Sequence, residues 1–392
     1  MLFSILQEEV PLDKLRTKRV NLIMPKKILI INPFGVGDVL FSMPLILAIK
    51  KIYPESYIGY ICNLKTQDIV RINPDIDEVF VFERDEYRIA WEKSKTYAIR
   101  KFFGFWSEIK KRDFELVFDL SLGKEYAFMC WHIGIKERRG FDYKNRGRFL
   151  THRIRFDGFN NMPVADYYLE LLRSFEGLPA DFNPEDVFSK LKVLPDSYIE
   201  DFLKNSGIKD GDLLVGLAPG GGISFGKNDK SKRRWPAENF AELGEKVSDM
   251  FNAKIILLWG PGDEDAADQV IEGMKKIPIV PPETTLSQMA ALCGRCNIVV
   301  CSEGGPLHIA HSQGVKTISI FGPVDERVYG PYPRTKNSIV LFSERPCRPC
   351  YKQFKMPSCD TRECLEDVSV DRVFEVVKKI IESDFIVPAK DN

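Results

Sequence analysis

The sequence predicts an α/β protein in two halves, each a parallel sheet with helices on both faces. Three observations carry this. Short apolar runs such as Lys27 to Asn32, Leu213 to Ala218 and Ile298 to Cys301 read as buried strands. Each is followed by a glycine-bearing turn and a segment with helical spacing, the order expected of strands joined by crossover helices. The pattern fails from Gly177 to Asp196, around Pro179, Pro184 and Pro195, and then resumes. The expected division is an N-terminal arm over residues 1–24, a first domain over 25–185 and a second over 186–392. The second ends in a cysteine-containing tail and a C-terminal helix.

In chain order, the first strand, Lys27 to Asn32, opens into Gly35 and Gly37. Asp38 then begins a helix predicted to continue through Val39 to Ile49. The glycines permit a sharp turn and close approach of a ligand, and a helix start with unpaired N–H groups favours anions. On these residues alone Asp38 reads either as a helix cap or as a carboxylate placed to take a proton, and the cap is the commoner role. Leu40 stands where a dinucleotide fingerprint needs its third glycine, which disfavours an ordinary NAD site. Strands follow at Tyr57 to Cys62, Glu78 to Phe82 and Phe114 to Leu120, and a helix at Asp166 to Phe175. Residues 136–155 are rich in Lys and Arg, among them Arg138, Arg139 and Arg146. They read as a solvated loop or as a site for an anionic acceptor at a membrane surface.

In the second half the strand at Leu213 to Ala218 runs into Pro219-Gly220-Gly221-Gly222. A polar segment bearing Lys227, Lys230, Lys232, Arg233 and Arg234 leads to a helix opened by Trp235-Pro236. Lys254 to Trp259 ends in Gly260-Pro261-Gly262-Asp263. After a helix at Leu286 to Leu292, Ile298 to Cys301 runs into Ser302-Glu303-Gly304-Gly305-Pro306, with a helix carrying His308 beyond it. Thr317 to Phe321 is the last predicted strand and Val370 to Ile381 the last helix. Three glycine-rich loops on one sheet edge, with cations beside them, suit a nucleotide diphosphate.

Bulk properties narrow the classes. With 56 Lys and Arg against 56 Asp and Glu, the formal charge is zero, so no nucleic-acid partner is expected. No apolar run reaches the roughly 20 residues of a membrane helix. The arm lacks the order of a secretory signal, and nine cysteines read as reduced thiols, so a cytoplasmic location is expected. Cys347, Cys350, Cys359 and Cys364 are spaced C-x2-C-x8-C-x4-C, a candidate for zinc or a disulfide. Cys293 and Cys296 read as core or turn thiols.

Together these segments resemble glycosyltransferase family 9, the ADP-heptose:lipopolysaccharide heptosyltransferases. The resemblance rests on ILIINPFGVGDVLFSMPLILAIKKIYP, INPDIDEVF, RRWPAENFAEL, CSEGGPLHIAHSQG and the CRPC tail, in that order. It implies a GT-B fold, two Rossmann-like domains facing across a cleft, and an inverting transfer that requires no metal or other cofactor. By the resemblance Asp38 is the general base. The donor side takes Gly220, Gly221, Lys232, Arg233, Asp263, Glu303, Gly304, Gly305 and His308. The acceptor side takes Gly35 and Gly37, with Arg138, Arg139 and Arg146. The implied donor is ADP-heptose, or another nucleotide-diphosphate sugar, and the acceptor a lipid-linked glycan or lipopolysaccharide core. Peripheral contact with the inner face of the cytoplasmic membrane is expected. Two departures stand out: Arg233 where the family often has Lys, and Glu303-Gly304-Gly305 where it often reads D-T-G or D-S-G. Ile223 to Lys232 is longer than usual and reads as a mobile lid. The competing readings are a GT-B nucleotide-sugar epimerase and a non-catalytic GT-B scaffold.

Overall fold

The computed structural model describes residues 26–221, 232–356, 358–359 and 361–384. The N-terminal arm lies outside these residues, as does the expected lid apart from Lys232.

The first half contains β1 (Lys27–Ile31), α1 (Val36–Phe41), α2 (Met43–Ile52), β2 (Tyr57–Cys62), α3 (Gln67–Ile72), β3 (Glu78–Val81), α4 (Arg84–Lys93), α5 (Lys95–Lys111), β4 (Leu116–Asp119), α6 (Glu125–His132), β5 (Glu137–Tyr143), β6 (His152–Phe156) and α7 (Val164–Arg173). Its six strands are all parallel, in the order β3-β2-β1-β4-β5-β6. β1 lies inside the sheet, and Ile31 is level with both Ile61 and Asp119. Alternate β1 side chains enter different cores. Ile28 and Ile30 pack toward α2 and α7, while Leu29 and Ile31 pack toward Trp106 of α5 and Met129 of α6.

Two expectations change here. The helix predicted through Ile49 is two helices, broken at Ser42. The Ser42 hydroxyl bonds back to the Val39 carbonyl at 2.6 Å and reaches the Tyr60 hydroxyl at 2.8 Å. Pro44, which has no N–H to give, sits in the first turn of α2. The basic stretch 136–155 is largely strand rather than loop. In β6 Ile154 and Phe156 turn inward while Arg153 and Arg155 are exposed, so an edge strand with one wet face reads as a charge run.

The second half contains α8 (Val187–Leu191), α9 (Ser197–Asn205), β7 (Leu214–Ala218), α10 (Ala237–Phe251), β8 (Lys254–Leu257), α11 (Glu264–Gly273), α12 (Leu286–Arg295), β9 (Ile298–Ser302), α13 (Gly305–Ser312), β10 (Lys316–Phe321), α14 (Glu326–Tyr329), β11 (Ser338–Phe342), α15 (Glu363–Glu366) and α16 (Val370–Asp384). Its sheet is parallel in the order β11-β10-β9-β7-β8, so β11 extends it beyond the last predicted strand. The two sheets are joined by packing of α1 on α13 and of α3 on α12, inside one apolar cluster that runs through both halves. The carboxyl ends of β1, β7 and β9 thereby open onto the same joint.

Candidate functional site

The loop after β1 is pinned from below. The Asn32 amide donates to the Asp38 carbonyl at 2.9 Å, and the Asn63 amide donates to the carbonyls of Pro33 (3.1 Å) and Phe34 (2.7 Å). The chain therefore enters α1 at a fixed angle. Gly35 is the cap residue of α1 and Asp38 is its third residue, so Asp38 is not the cap. Its carboxyl is half-buried at the joint. Burial raises its pKa from 3.8 to about 6, against the opposing pull of the Gly35 backbone hydrogen bond and of Arg233.

Across the joint, α13 begins at Gly305 with Gly304 as its cap residue. Gly304 has φ +141°, and a Cβ there would lie 2.5 Å from the Gly221 carbonyl oxygen. A Cβ on Gly37 would lie 2.9 Å from the His308 ring. These glycines let the loops after β7 and β9, and helices α1 and α13, approach to backbone contact. His308 lies edge-on to Phe41, with ring centroids 4.6 Å apart. Burial lowers its pKa to about 3, with His311 and Arg233 adding to the shift, so the ring is neutral.

Glu303 is buried, 2% exposed, and makes a two-pronged ion pair with Arg233. Burial alone would lower the Arg233 pKa; the Glu303 charge, with smaller help from Tyr351 and Asp38, raises it. Arg233 thus stands in the field of both carboxylates. Lys232 is half-buried just ahead of it. Arg234 turns the other way, donating to Asp263 at 2.6 Å and to the Gly262 carbonyl at 2.9 Å. Asp263 also fills the space beside Gly220, where a Cβ would lie 2.1 Å from its carboxyl carbon. The Asp263–Arg234 pair ties the loops after β7 and β8 together. Trp235, nearly inaccessible, bonds through its amide to the Ser302 hydroxyl at 3.0 Å and through its indole to the Val368 carbonyl at 2.8 Å.

Sequence reasoning missed several groups here. Tyr168, Tyr329 and Tyr351 all feel the Asp38 charge, and burial pushes each phenol far up. The second half reaches back over the first: Phe354 of the tail packs on Tyr143 at 5.6 Å and the Tyr332 hydroxyl donates to Asp166 at 2.8 Å, while Tyr351 packs on Tyr329 of α14 at 5.7 Å. Asp119, at the end of β4, is a second buried carboxylate raised to about 6 by burial, and its Oδ2 has no partner among the described residues. An aspartate ending an apolar strand beside β1 was its only signal in the sequence.

The expected acceptor arginines are not gathered at the joint. Arg139 is buried, held by Glu176 at 2.7 Å and Glu137 at 2.9 Å, with its guanidinium over the Phe175 ring. Arg138 donates to backbone carbonyls, that of Phe149 at 2.6 Å among them. Arg146 is exposed beyond the end of β5, over the Tyr143 ring. The four late cysteines carry free thiols, so the disulfide alternative is not what the structure contains. Among the described residues no group of three or more His, Cys, Asp or Glu side chains is placed to hold a metal. Burial, with the neighbouring cysteines, raises the Cys364 thiol to about 11. Cys293 and Cys296 are core thiols, as expected.

Two Rossmann-like parallel sheets, their carboxyl edges meeting at a joint that holds a carboxylate from one half and an Arg–Glu pair from the other, define a GT-B enzyme. A family model described as glycosyltransferase family 9 (heptosyltransferase) matches residues 102–359, and the chain belongs to that family. Among curated relatives it is 23% identical to lipooligosaccharide heptosyltransferase 2 of Campylobacter jejuni, covering 90% of this chain and 99% of the relative. It is 21% identical to lipopolysaccharide heptosyltransferase 1 of Escherichia coli K12, covering 81% and 94%. Among solved structures, the family 9 glycosyltransferase of Veillonella parvula superposes with a TM-score of 0.75 at 24% identity, covering 92% of this chain and 98% of that one. The ADP-heptose heptosyltransferase II of E. coli superposes at 0.71 and 18%, covering 92% and 100%. Among the described residues no helix is long and apolar enough to cross a membrane.

Proposed function

We propose that this glycosyltransferase moves a heptose from ADP-heptose to a lipopolysaccharide core or related lipid-linked glycan acceptor, with inversion at the anomeric carbon and Asp38 as general base. The observation that carries the proposal is the joint itself. A half-buried carboxylate on α1, its pKa raised, lies in the field of Arg233 of the Arg233–Glu303 pair, at a joint where glycines bring the two halves together. The acceptor oxygen attacks the anomeric carbon and gives its proton to an Asp38 carboxylate oxygen. The bond from that carbon to the donor phosphate oxygen breaks, and the nucleoside diphosphate leaves with the bonding pair. Arg233, Lys232 and the first amides of α13 are the groups positioned to take up that charge. In this reading the reaction needs no metal or other cofactor. The donor assignment draws on relatives named as heptosyltransferases, one of them solved with ADP under that title. The enzyme acts as a peripheral protein at the inner face of the cytoplasmic membrane, where a lipid-linked acceptor is presented.

A thermal-shift panel of ADP-, GDP- and UDP-sugars tests the donor, because a ligand that binds the folded state raises the midpoint. ADP-heptose is expected to shift it most. A shift confined to UDP- or GDP-sugars would overturn the ADP assignment. Epimerisation of the donor without any acceptor would overturn transfer itself.

A further inference from the structure

The helical hairpin α4–α5 joins the end of β3 to the start of β4, and nothing in the site uses it. Its buried side is a tight aromatic cluster. The Phe82 ring, just past β3, meets Tyr87 at 4.6 Å, Phe105 at 5.0 Å, Phe102 at 6.2 Å and Trp106 at 6.5 Å. Residues 102–106 of α5 are therefore level with the carboxyl edge of the first sheet. α5 runs back toward the start of β4, so Lys95 to Lys101 extend beyond that edge, by about 10 Å at 1.5 Å per residue. This is the edge on which Asp38 lies.

The projecting part and the turn at its base are apolar where solvent reaches them. Trp91, Tyr97, Ile99 and Phe103 are between 45% and 58% exposed. On α5, Ile99 and Phe103 are four residues apart, hence on one face, and Arg100 lies between them. From Arg84 to Lys111 there are eight Lys or Arg against four Asp or Glu, in a chain of zero formal charge. Asp85, Glu86 and Glu108 already pair with Arg88, Lys101 and Lys111. Among the described residues that leaves Arg84, Lys93, Lys95, Arg100 and Lys110 against Glu92. Helix α6, on the same sheet face, exposes Phe128 and Trp131.

We propose that the α4–α5 hairpin is a docking element for an anionic lipid bilayer. Trp91, Tyr97 and Ile99, with Phe103 at the base of the tip, enter the headgroup boundary while Lys93, Lys95 and Arg100 meet lipid phosphates. Charge complementarity favours this occupant, since aromatic rings interleaved with unpaired cations suit an interface that is apolar below and negative above. The inference rests on the reading of a lipid-borne acceptor for its purpose. Docking beside the acceptor edge would hold the joint over the membrane.

The test is sedimentation of the protein with phosphatidylglycerol–phosphatidylcholine vesicles, without donor or acceptor, so that its outcome is separate from that of the transfer assay. The unaltered chain is expected to bind, and neutral vesicles to bind it at least about fivefold more weakly. A Trp91→Ser, Tyr97→Ser, Phe103→Ser variant, and separately Lys95→Glu with Arg100→Glu, should each lower partitioning by about tenfold or more with unchanged circular dichroism. Arg146→Glu with Arg153→Glu, on the other basic stretch, should change it little. Equal binding by both hairpin variants, loss only in the Arg146/Arg153 variant, or dimerisation through the hairpin without vesicle binding would each overturn the proposal.

Discussion

Replacing Asp38 by Asn separates the two consequences of a buried carboxylate. In the folded chain Asp38 titrates at about 6, where an ordinary Asp has 3.8. The folded state therefore holds this proton more tightly than the unfolded chain does. Stability is lost as pH rises from about 4 to about 6, and the loss is then constant, about 3 kcal/mol at neutral pH for a two-unit shift. Asn carries no charge, and its oxygen can still accept the Gly35 amide. Asp38→Asn should accordingly unfold at higher denaturant at about pH 8, with a gain of up to about 3 kcal/mol that shrinks below pH 6 and vanishes near pH 4. Transfer should behave oppositely, falling by about two to four orders of magnitude, the usual contribution of a general base. In the unaltered enzyme the rate should rise with pH through about 6 and level off, because the base must be ionised. Urea titrations at several pH values and a coupled assay of nucleotide release are sufficient measurements. Undiminished transfer by the Asn variant would refute the base assignment. A stability difference independent of pH would refute the raised pKa.

Arg233→Lys keeps the charge and loses the planar fork that spans both Glu303 oxygens, so donor affinity should fall about tenfold by calorimetry. An unchanged dissociation constant would take Arg233 out of the phosphate site. Gly304→Ala should cost about 1–3 kcal/mol in urea unfolding, because φ is +141° and the new methyl would press on the Gly221 carbonyl. Arg139→Ala should destabilise by about 3–5 kcal/mol, leaving the buried Glu176 carboxylate without its cation, while the turnover per folded molecule stays the same. A specific loss of acceptor affinity in that variant would restore Arg139 to the acceptor side.

Much of the fold was legible because its signals are local. An apolar run, a glycine turn and a helical period lie within some twenty residues of one another, which made β1, β2, β7 and β9 readable. The break at Ser42 was hidden, since its cause is a hydroxyl bonding a carbonyl three residues back and a tyrosine from another strand. Strands β5 and β6 were hidden by their arginines, Arg138, Arg139, Arg153 and Arg155, which interrupt the apolar residues that turn inward. The site shows the same limit. Asp38 and the glycine loops sit on strand ends and could be placed by topology. The Arg233–Glu303 pair spans 70 residues, and Arg139 finds Glu176 across 37. Chain order alone did not show that one arginine faces the joint and the other is spent inside. Tyr329 of α14 and Tyr351 of the tail come into the field of Asp38 only because the chain folds back, and no local pattern announces such a return.

The pairing of Arg233 with Glu303 also bears on how a donor would be recognised. Glu303 is 2% exposed, so it cannot rehydrate if its partner is drawn away. A diphosphate entering the proposed site would compete for the same guanidinium fork, and Arg233 already divides its field between Glu303 and Asp38. A nucleotide alone would thus gain a cation while stranding a buried carboxylate, a loss of the same order as the gain. A sugar nucleotide also brings hydroxyl groups, and hydroxyls donate hydrogen bonds that a stranded carboxylate can accept. In that arrangement the phosphates take part of Arg233, the sugar satisfies Glu303, and the intact donor is favoured over the spent nucleotide. The length of the Glu303 side chain would then set how far the sugar must reach. Donor choice would follow from the length of that side chain as much as from the base-binding loops.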